Sequence, residues 1–235
     1  MKAKGLIFDF GGTLDTDGLH WSEVLWDGYR SAGIAVPKEL FREAYVHAER
    51  ALAREPLIQP HFTMLDMLRI KVDIETRYLL EKGYWDTTDS ERKLQAEKVA
   101  RLCYDNARAI VETSRMVLRQ LSERYPLVLV SNFYGNMNAV LHDFQLKVFQ
   151  AVVESARVGV RKPNPEIFRL GVEALGMKPE EVTVIGDSYK KDILPAVSLG
   201  CKTIWLRGKG WEEETVDESV PDAIIEHISE LLKIL

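Results

Sequence analysis

Cysteine is scarce: the 235 residues hold two, Cys103 and Cys201. Two cysteines give neither a disulfide framework nor a cysteine-rich metal cluster, and each reads as a small buried apolar residue in a reducing compartment. Long apolar runs are missing as well, none approaching the roughly 20 residues of a membrane-spanning helix. The apolar stretch in Met1–Asp9 is Leu6-Ile7-Phe8, which ends on an aspartate, so no secretory signal is expected. There is no basic excess. The 31 Lys and Arg against 36 Asp and Glu leave −5, which provides no electrostatic footprint for a nucleic acid. The composition is not that of a disordered chain, with 46% hydrophobic residues. Internal repeats and low-complexity segments are absent, and Glu212-Glu213-Glu214 reads as a solvated loop or helix start. The expectation is a cytoplasmic globular protein: one large domain, or one domain carrying an insertion.

Hydrophobic periodicity divides the chain. Leu6-Ile7-Phe8 reads as a buried strand that stops at Asp9 and Gly11-Gly12. From about Asp17 to Arg108 the spacing is helical. Trp21, Leu25 and Tyr29 form one stripe, Phe41, Tyr45 and Ala48 a second, and Leu94, Val99 and Leu102 a third, with prolines at 37, 56 and 60 between segments. This region reads as four or five helices. Beyond residue 110 strands and helices alternate. A helix around Val117-Leu118-Leu121 precedes the strand Leu127–Val130. Strands follow at Ala151–Val153, Thr183–Ile185 and Thr203–Leu206, with helices over Glu166–Leu175 and Lys191–Leu199, and a last helix is expected from Asp222 onward. Near-continuous apolar strands alternating with helices predict an α/β fold, a mainly parallel, Rossmann-like sheet sandwiched by helices. The first strand needs sheet neighbours, so the helical block is an insertion. Residues 1–15 and 108–235 form the core, and 16–107 form the inserted α-helical unit.

Polar residues gather at the strand ends: Asp9 through Thr13, Ser131-Asn132, and Gly186-Asp187-Ser188. Ligands of open parallel sheets bind outside the carboxyl ends of the strands, which makes Asp9 and Asp187 candidates for one crevice. Carboxylates there need a positive partner, either a divalent cation or the ammonium of Lys162. Few carboxylates among oxygen donors suit magnesium, which is completed by water and substrate phosphate. Gly11-Gly12 permits close backbone approach, Thr13 and Ser131 supply hydroxyls, and a helix starting after Asn132 would aim its dipole at an anion. Together these outline a magnesium-dependent phosphate site with a carboxylate nucleophile.

Asp9-Phe10-Gly11-Gly12-Thr13-Leu14, Ser131-Asn132, Lys162-Pro163 and Gly186 through Asp192 resemble, in order, the four motifs of the haloacid dehalogenase superfamily. The helical block falls where that family carries a small α-helical cap. The resemblance implies that Asp9 is the nucleophile that accepts a phosphoryl group, and that Lys162 is catalytic and neutralises charge beside it. It further implies that Thr13, Ser131, Asn132 and Lys162 hold the phosphate. Asp9, the Gly11 carbonyl, Asp187 and Asp192 would hold Mg2+, with Asp192 acting through water or through Lys162. The substrate would be a small phosphorylated compound, with no nucleic-acid or membrane partner; the sequence does not fix the oligomeric state.

Gly11 departs from the pattern, because phosphatases of this family usually carry an aspartate two residues after the nucleophile. A glycine cannot move a proton, so poor leaving groups such as sugar phosphates should turn over slowly, and aryl or acyl phosphates should suffer less. Asp15, Asp17 and His20 lie near enough in sequence to be weighed as substitutes. The two aspartates read as caps of the first inserted helix, and His20 as a hinge or surface residue. The same glycine supports an alternative, a non-catalytic binding or scaffolding module. A second alternative is a metal-independent haloacid dehalogenase, against which the retained Asp187 and Asp192 argue.

Overall fold

The computed structural model describes residues 3–208, 210 and 216–235, so the acidic run at 212–214 lies outside the described residues. Its centre is a six-stranded, wholly parallel sheet in the order β3-β2-β1-β4-β5-β6. The strands are β1 (Gly5–Phe8), β2 (Leu127–Ser131), β3 (Ala151–Glu154), β4 (Val182–Gly186), β5 (Lys202–Leu206) and β6 (Ala223–Ile225). The helices are α1 (Trp21–Ala32), α2 (Lys38–Arg54), α3 (Met64–Glu81), α4 (Asp89–Ser122), α5 (Met137–Asp143), α6 (Ser155–Val158), α7 (Glu166–Leu175), α8 (Leu194–Ser198) and α9 (Leu231–Ile234).

Strand alternation sends neighbouring residues to opposite layers. Leu6, Phe8, Leu127 and Leu129 face one core with Val117, Leu118 and Leu121 of α4, Met137 and Val140 of α5, and Leu231 of α9. Ile7, Val128 and Val130 face the other core with Ile167, Phe168 and Val172 of α7 and Ala196 of α8. Both faces are covered, which is why these strands read as continuous apolar runs. Between β1 and β2 the chain builds the helical unit α1 to α4.

The structure departs from the sequence expectations at three places. First, α4 is one helix of 34 residues, so the segments foreseen around Leu94 and Leu118 are continuous. A Thr88–Glu91 capping box starts that helix, and no proline or glycine interrupts it. Second, its buried stripe runs through Arg92, Ala96, Val99, Ala100, Cys103 and Ala107, whereas Leu94 is 71% exposed. Arg92 is buried because Asp73, Asp89 and Thr76 take its guanidinium. Third, the C-terminal segment opens as a strand. Ala223–Ile225 pairs with Ile204–Leu206, anchored where Asp222 accepts the Thr203 N–H at 2.8 Å, and only a 3-10 turn and short α9 follow. Tertiary pairing there overrides helical spacing.

Candidate active site

β1 and β4 lie side by side with Phe8 opposite Ile185, so the chain leaves both strands at the same level. The residues just past them, Asp9 and Asp187, are thereby placed at the carboxyl edge of the sheet between its two central strands. The Asp9 N–H donates to the Ile185 carbonyl at 2.9 Å, fixing the first residue past the strand. Asp192 arrives from a π-helical turn over Tyr189–Ile193 and joins them, so that one carboxylate oxygen of each residue lies within 4.8 Å of the others.

Two glycines make this convergence possible. Gly12 adopts φ +98°, and a Cβ there would stand 2.4 Å from the Asp187 carboxylate. At Gly186 a Cβ would lie 2.5 Å from that of Asp192. The indole N–H of Trp205 on β5 donates to the Asp187 carbonyl at 2.8 Å, holding that loop from the neighbouring strand.

Lys162 is the cation of the group. Its ammonium lies 2.6 Å from Asp9 and 2.7 Å from Asp192, and its side chain is 2% accessible. Although burial opposes its charge, the two carboxylates hold it protonated, well above the ordinary lysine range. One ammonium against three carboxylates leaves two negative charges uncompensated in a confined space. Burial first, then Asp9 and Asp192, push the Asp187 carboxyl well above its ordinary range. Burial likewise raises Asp192, with Lys162 opposing. Oxygen donors that are mutually repelling and jointly within reach of one ion fit a hard divalent cation such as magnesium.

The remaining expected residues divide by what their side chains do. Ser131 ends β2 beside Asp9's strand, buried. The amide of Asn132, a residue expected on the phosphate, bonds the Lys162 backbone: Nδ2 donates to the Lys162 carbonyl at 3.1 Å and Oδ1 accepts the Lys162 N–H at 2.9 Å. It therefore sets the backbone that carries Lys162. The Thr13 hydroxyl sits 3.0 Å from Asp9 Oδ2 and 3.1 Å from Asp187 Oδ1, and accepts the Asp187 N–H at 3.0 Å. It bridges the two carboxylates. The helix expected after Asn132 begins at Met137, and the Gly135 and Met137 N–H groups donate to Glu154, so the anion at that helix start is the protein's own carboxylate.

Gly11 borders this group, and a Cβ there would meet only the indole edge of Trp21, at 3.9 and 4.0 Å. Asp15 and Asp17 do not cap α1; His20 does, accepting the Ser22 N–H. Asp15 is fully buried, and its two oxygens take the Gly12 N–H and the Trp21 indole N–H, each at 2.8 Å. Burial lifts its carboxyl to about 7 against those two bonds. Asp17 turns to the far end of the chain, where it accepts the Ile228 N–H and pairs with His227. Burial, then Lys191 and Lys71, press His20 down to about 4, so charges from the sheet and from the helical unit meet at this imidazole. Cys103 and Cys201 are buried free thiols, and burial raises them to about 12 and about 11.

A family model for haloacid dehalogenase-like hydrolases matches residues 3–200, and the chain belongs to that family of hydrolases. It is 36% identical over 88 residues to the glyceraldehyde 3-phosphate phosphatase of Pyrococcus furiosus, and 34% identical over 83 residues to the phosphoserine phosphatase of Thermus thermophilus. These matches cover 37% and 35% of this chain and 37% and 32% of the relatives, so the chain spans only about a third of the length of these two curated proteins. Among solved structures, the magnesium-bound HAD-hydrolase YfnB from Bacillus subtilis aligns over 100% of this chain and 99% of its own, with TM-score 0.62 and 20% identity. A HAD phosphatase from Thermococcus onnurineus aligns over 98% and 97% with TM-score 0.55 and 23% identity. Likeness at such identities is one of fold. Among the described residues no helix is long and apolar enough to cross a membrane.

Proposed function

We propose that the protein is a magnesium-dependent phosphatase or phosphotransferase acting on a small phosphorylated compound through a phosphoryl group carried on Asp9. The observation that carries this reading is the carboxylate trio of Asp9, Asp187 and Asp192 around a single buried ammonium. The phosphatase names of the curated relatives support it. Asp9, Asp187 and the Gly11 carbonyl would hold magnesium, with Asp192 beside them chiefly as partner of Lys162. The ion, when bound, supplies positive charge against the phosphate and against Asp9, letting two anions approach.

The chain's own residues do the rest. Asp9 presents a carboxylate oxygen to phosphorus, displaces the leaving group and becomes the aspartyl phosphate; water then attacks phosphorus and restores the carboxylate. Lys162 neutralises charge on the transferred group, and Asn132 sets its backbone. Ser131 supplies a hydroxyl at the same strand edge, and Thr13 keeps the two carboxylates in register. Gly11 offers no proton to the leaving oxygen, and both Asp15 oxygens are already accepting hydrogen bonds. The enzyme therefore favours leaving groups that depart as anions. The helical unit serves as a cap that shields the crevice from bulk water.

The test is phosphate release from phenyl phosphate with and without magnesium, in wild type and Asp9→Asn. Release that requires the metal and vanishes in Asp9→Asn supports the reading. Release that persists with excess chelator, or in Asp9→Asn, refutes it.

A further inference from the structure

Where the helical unit meets the sheet domain, one carboxylate is held from both sides and still open to solvent. Glu49 of α2 forms an ion pair with Lys71 of α3. The Tyr134 hydroxyl, two residues past Asn132, donates to it at 3.3 and 3.4 Å. The Lys71 ammonium also lies 4.1 Å from the centre of the Tyr45 ring. The accessibilities are unequal: the Lys71 side chain is 5% exposed and that of Glu49 is 38% exposed. The carboxylate is thus the more accessible member of the pair.

Two chains of contact lead from this pair to the loop that follows Asp9. Tyr134 packs on Phe133, with ring centres 5.3 Å apart, and Phe133 packs edge-on against Phe10, the residue after Asp9, at 5.9 Å. On the other side, Tyr45 lies 6.2 Å from the His20 ring, and His20 precedes Trp21, whose indole borders Gly11. The pair thus stands at the junction of the helical unit with the loops past β1 and β4, where Lys71, Glu49 and Lys191, the neighbour of Asp192, all act on the His20 imidazole. Lys71 compensates the Glu49 charge, which lets a carboxylate stand near a phosphate dianion, and carboxylate oxygens that already accept from Lys71 and Tyr134 keep lone pairs for a further donor.

We propose that Glu49 selects the leaving group: it accepts a hydrogen bond from an ammonium or hydroxyl on the substrate and disfavours leaving groups that carry a second anion. The inference rests on the phosphatase reading above. It makes Glu49 a specificity-determining residue, backed by Lys71 and Tyr134.

The test compares phenyl phosphate, 4-(aminomethyl)phenyl phosphate and 4-carboxyphenyl phosphate on wild type and Glu49→Gln. Wild type should prefer the aminomethyl compound and discriminate against the carboxylate. Glu49→Gln should cost the aminomethyl substrate about ten- to a hundredfold in kcat/KM, mostly through KM, while phenyl phosphate changes by less than about threefold. The carboxylate substrate should improve, because Lys71 is left without its counter-charge. An equal loss on all three substrates would mark a structural role and overturn the proposal, as would a wild-type preference for the carboxylate. If wild type hydrolyses none of them, the phosphatase reading fails, and the Glu49 proposal is decided by binding. Melting shifts of Asp9→Asn protein with magnesium and each compound should then be larger for the aminomethyl ligand than for the carboxylate. Equal or reversed shifts would overturn it.

Discussion

Restoring a carboxylate at position 11 tests the leaving-group argument. Gly11→Asp is sterically permitted: the glycine is not among those at positive φ, and its Cβ would touch nothing nearer than 3.9 Å. The new side chain would run along the Trp21 indole edge, on the loop between Asp9 and Asp15. A positioned general acid and base contributes about 10² to 10⁴ in rate. Turnover of an alkyl ester such as glycerol 3-phosphate should therefore rise at least about a hundredfold, or about 3 kcal/mol of barrier. Phenyl phosphate, whose leaving oxygen departs without a proton, should gain less than the alkyl ester, and only through the base step that hydrolyses the aspartyl phosphate. A further negative charge beside Asp9, Asp187 and Asp192 should lower the melting temperature in chelator, and magnesium should recover much of that loss. Steady-state phosphate release on the two esters, with calorimetry in both buffers, reads all of this. Equal gains on both esters, or no gain on the alkyl ester by a well-folded variant, would refute the missing-acid argument.

Three further expectations follow from the same geometry. Gly12→Ala puts a methyl group 2.4 Å from the Asp187 carboxylate at φ +98°; it should lose magnesium-dependent phosphate release and melt several degrees lower, and near-normal release would contradict the site as drawn. Asn132→Ala should lower kcat with little change in global melting, because it loosens the Lys162 backbone without opening the core; an unchanged kcat would deny the positioning role. Glu75, fully buried in the helical unit beside Tyr29, is lifted from 4.5 to about 7, chiefly by burial, with Lys71 opposing. Its folded-state midpoint is raised, so the native protein holds the proton longer and stability falls as pH rises from about 4.5 to about 7, by about 3 kcal/mol from this group. Glu75→Gln should flatten that fall in urea unfolding followed from pH 4 to 8; identical pH slopes in the two proteins would refute the assignment.

The strands and their polar ends were legible because burial on both faces writes an unbroken apolar run, and a carboxylate at the end of such a run is conspicuous. The order of Asp9, Ser131, Lys162 and Asp187 along the chain therefore pointed to one candidate site, where the structure brings Asp9, Lys162 and Asp187 together. The sequence did not show what each polar side chain grips. Asn132 and Thr13 have the chemistry to bind an anion, yet their partners, Lys162 and Asp187, lie 30 and 174 residues away. Asp17 is spent on Ile228 for the same reason, at a separation of 211 residues. The helical unit was readable as helices but not in its registers: Arg92 and Lys71 are charged residues on buried faces, admitted by Asp73 and Glu49 from other helices. Three-residue β6 carries too little pattern to compete with the helical spacing of Ile225, Ile228 and Leu231, and only the β5 edge makes it a strand.

The most direct test of the central claim is mass spectrometry of protein quenched in acid within milliseconds of mixing with phenyl phosphate and magnesium. A phosphoryl adduct on the peptide bearing Asp9, formed and lost at least as fast as steady-state turnover and absent from Asp9→Asn, is the predicted result. Turnover at full rate with Asp9 unmodified, or an adduct on another residue, would contradict it.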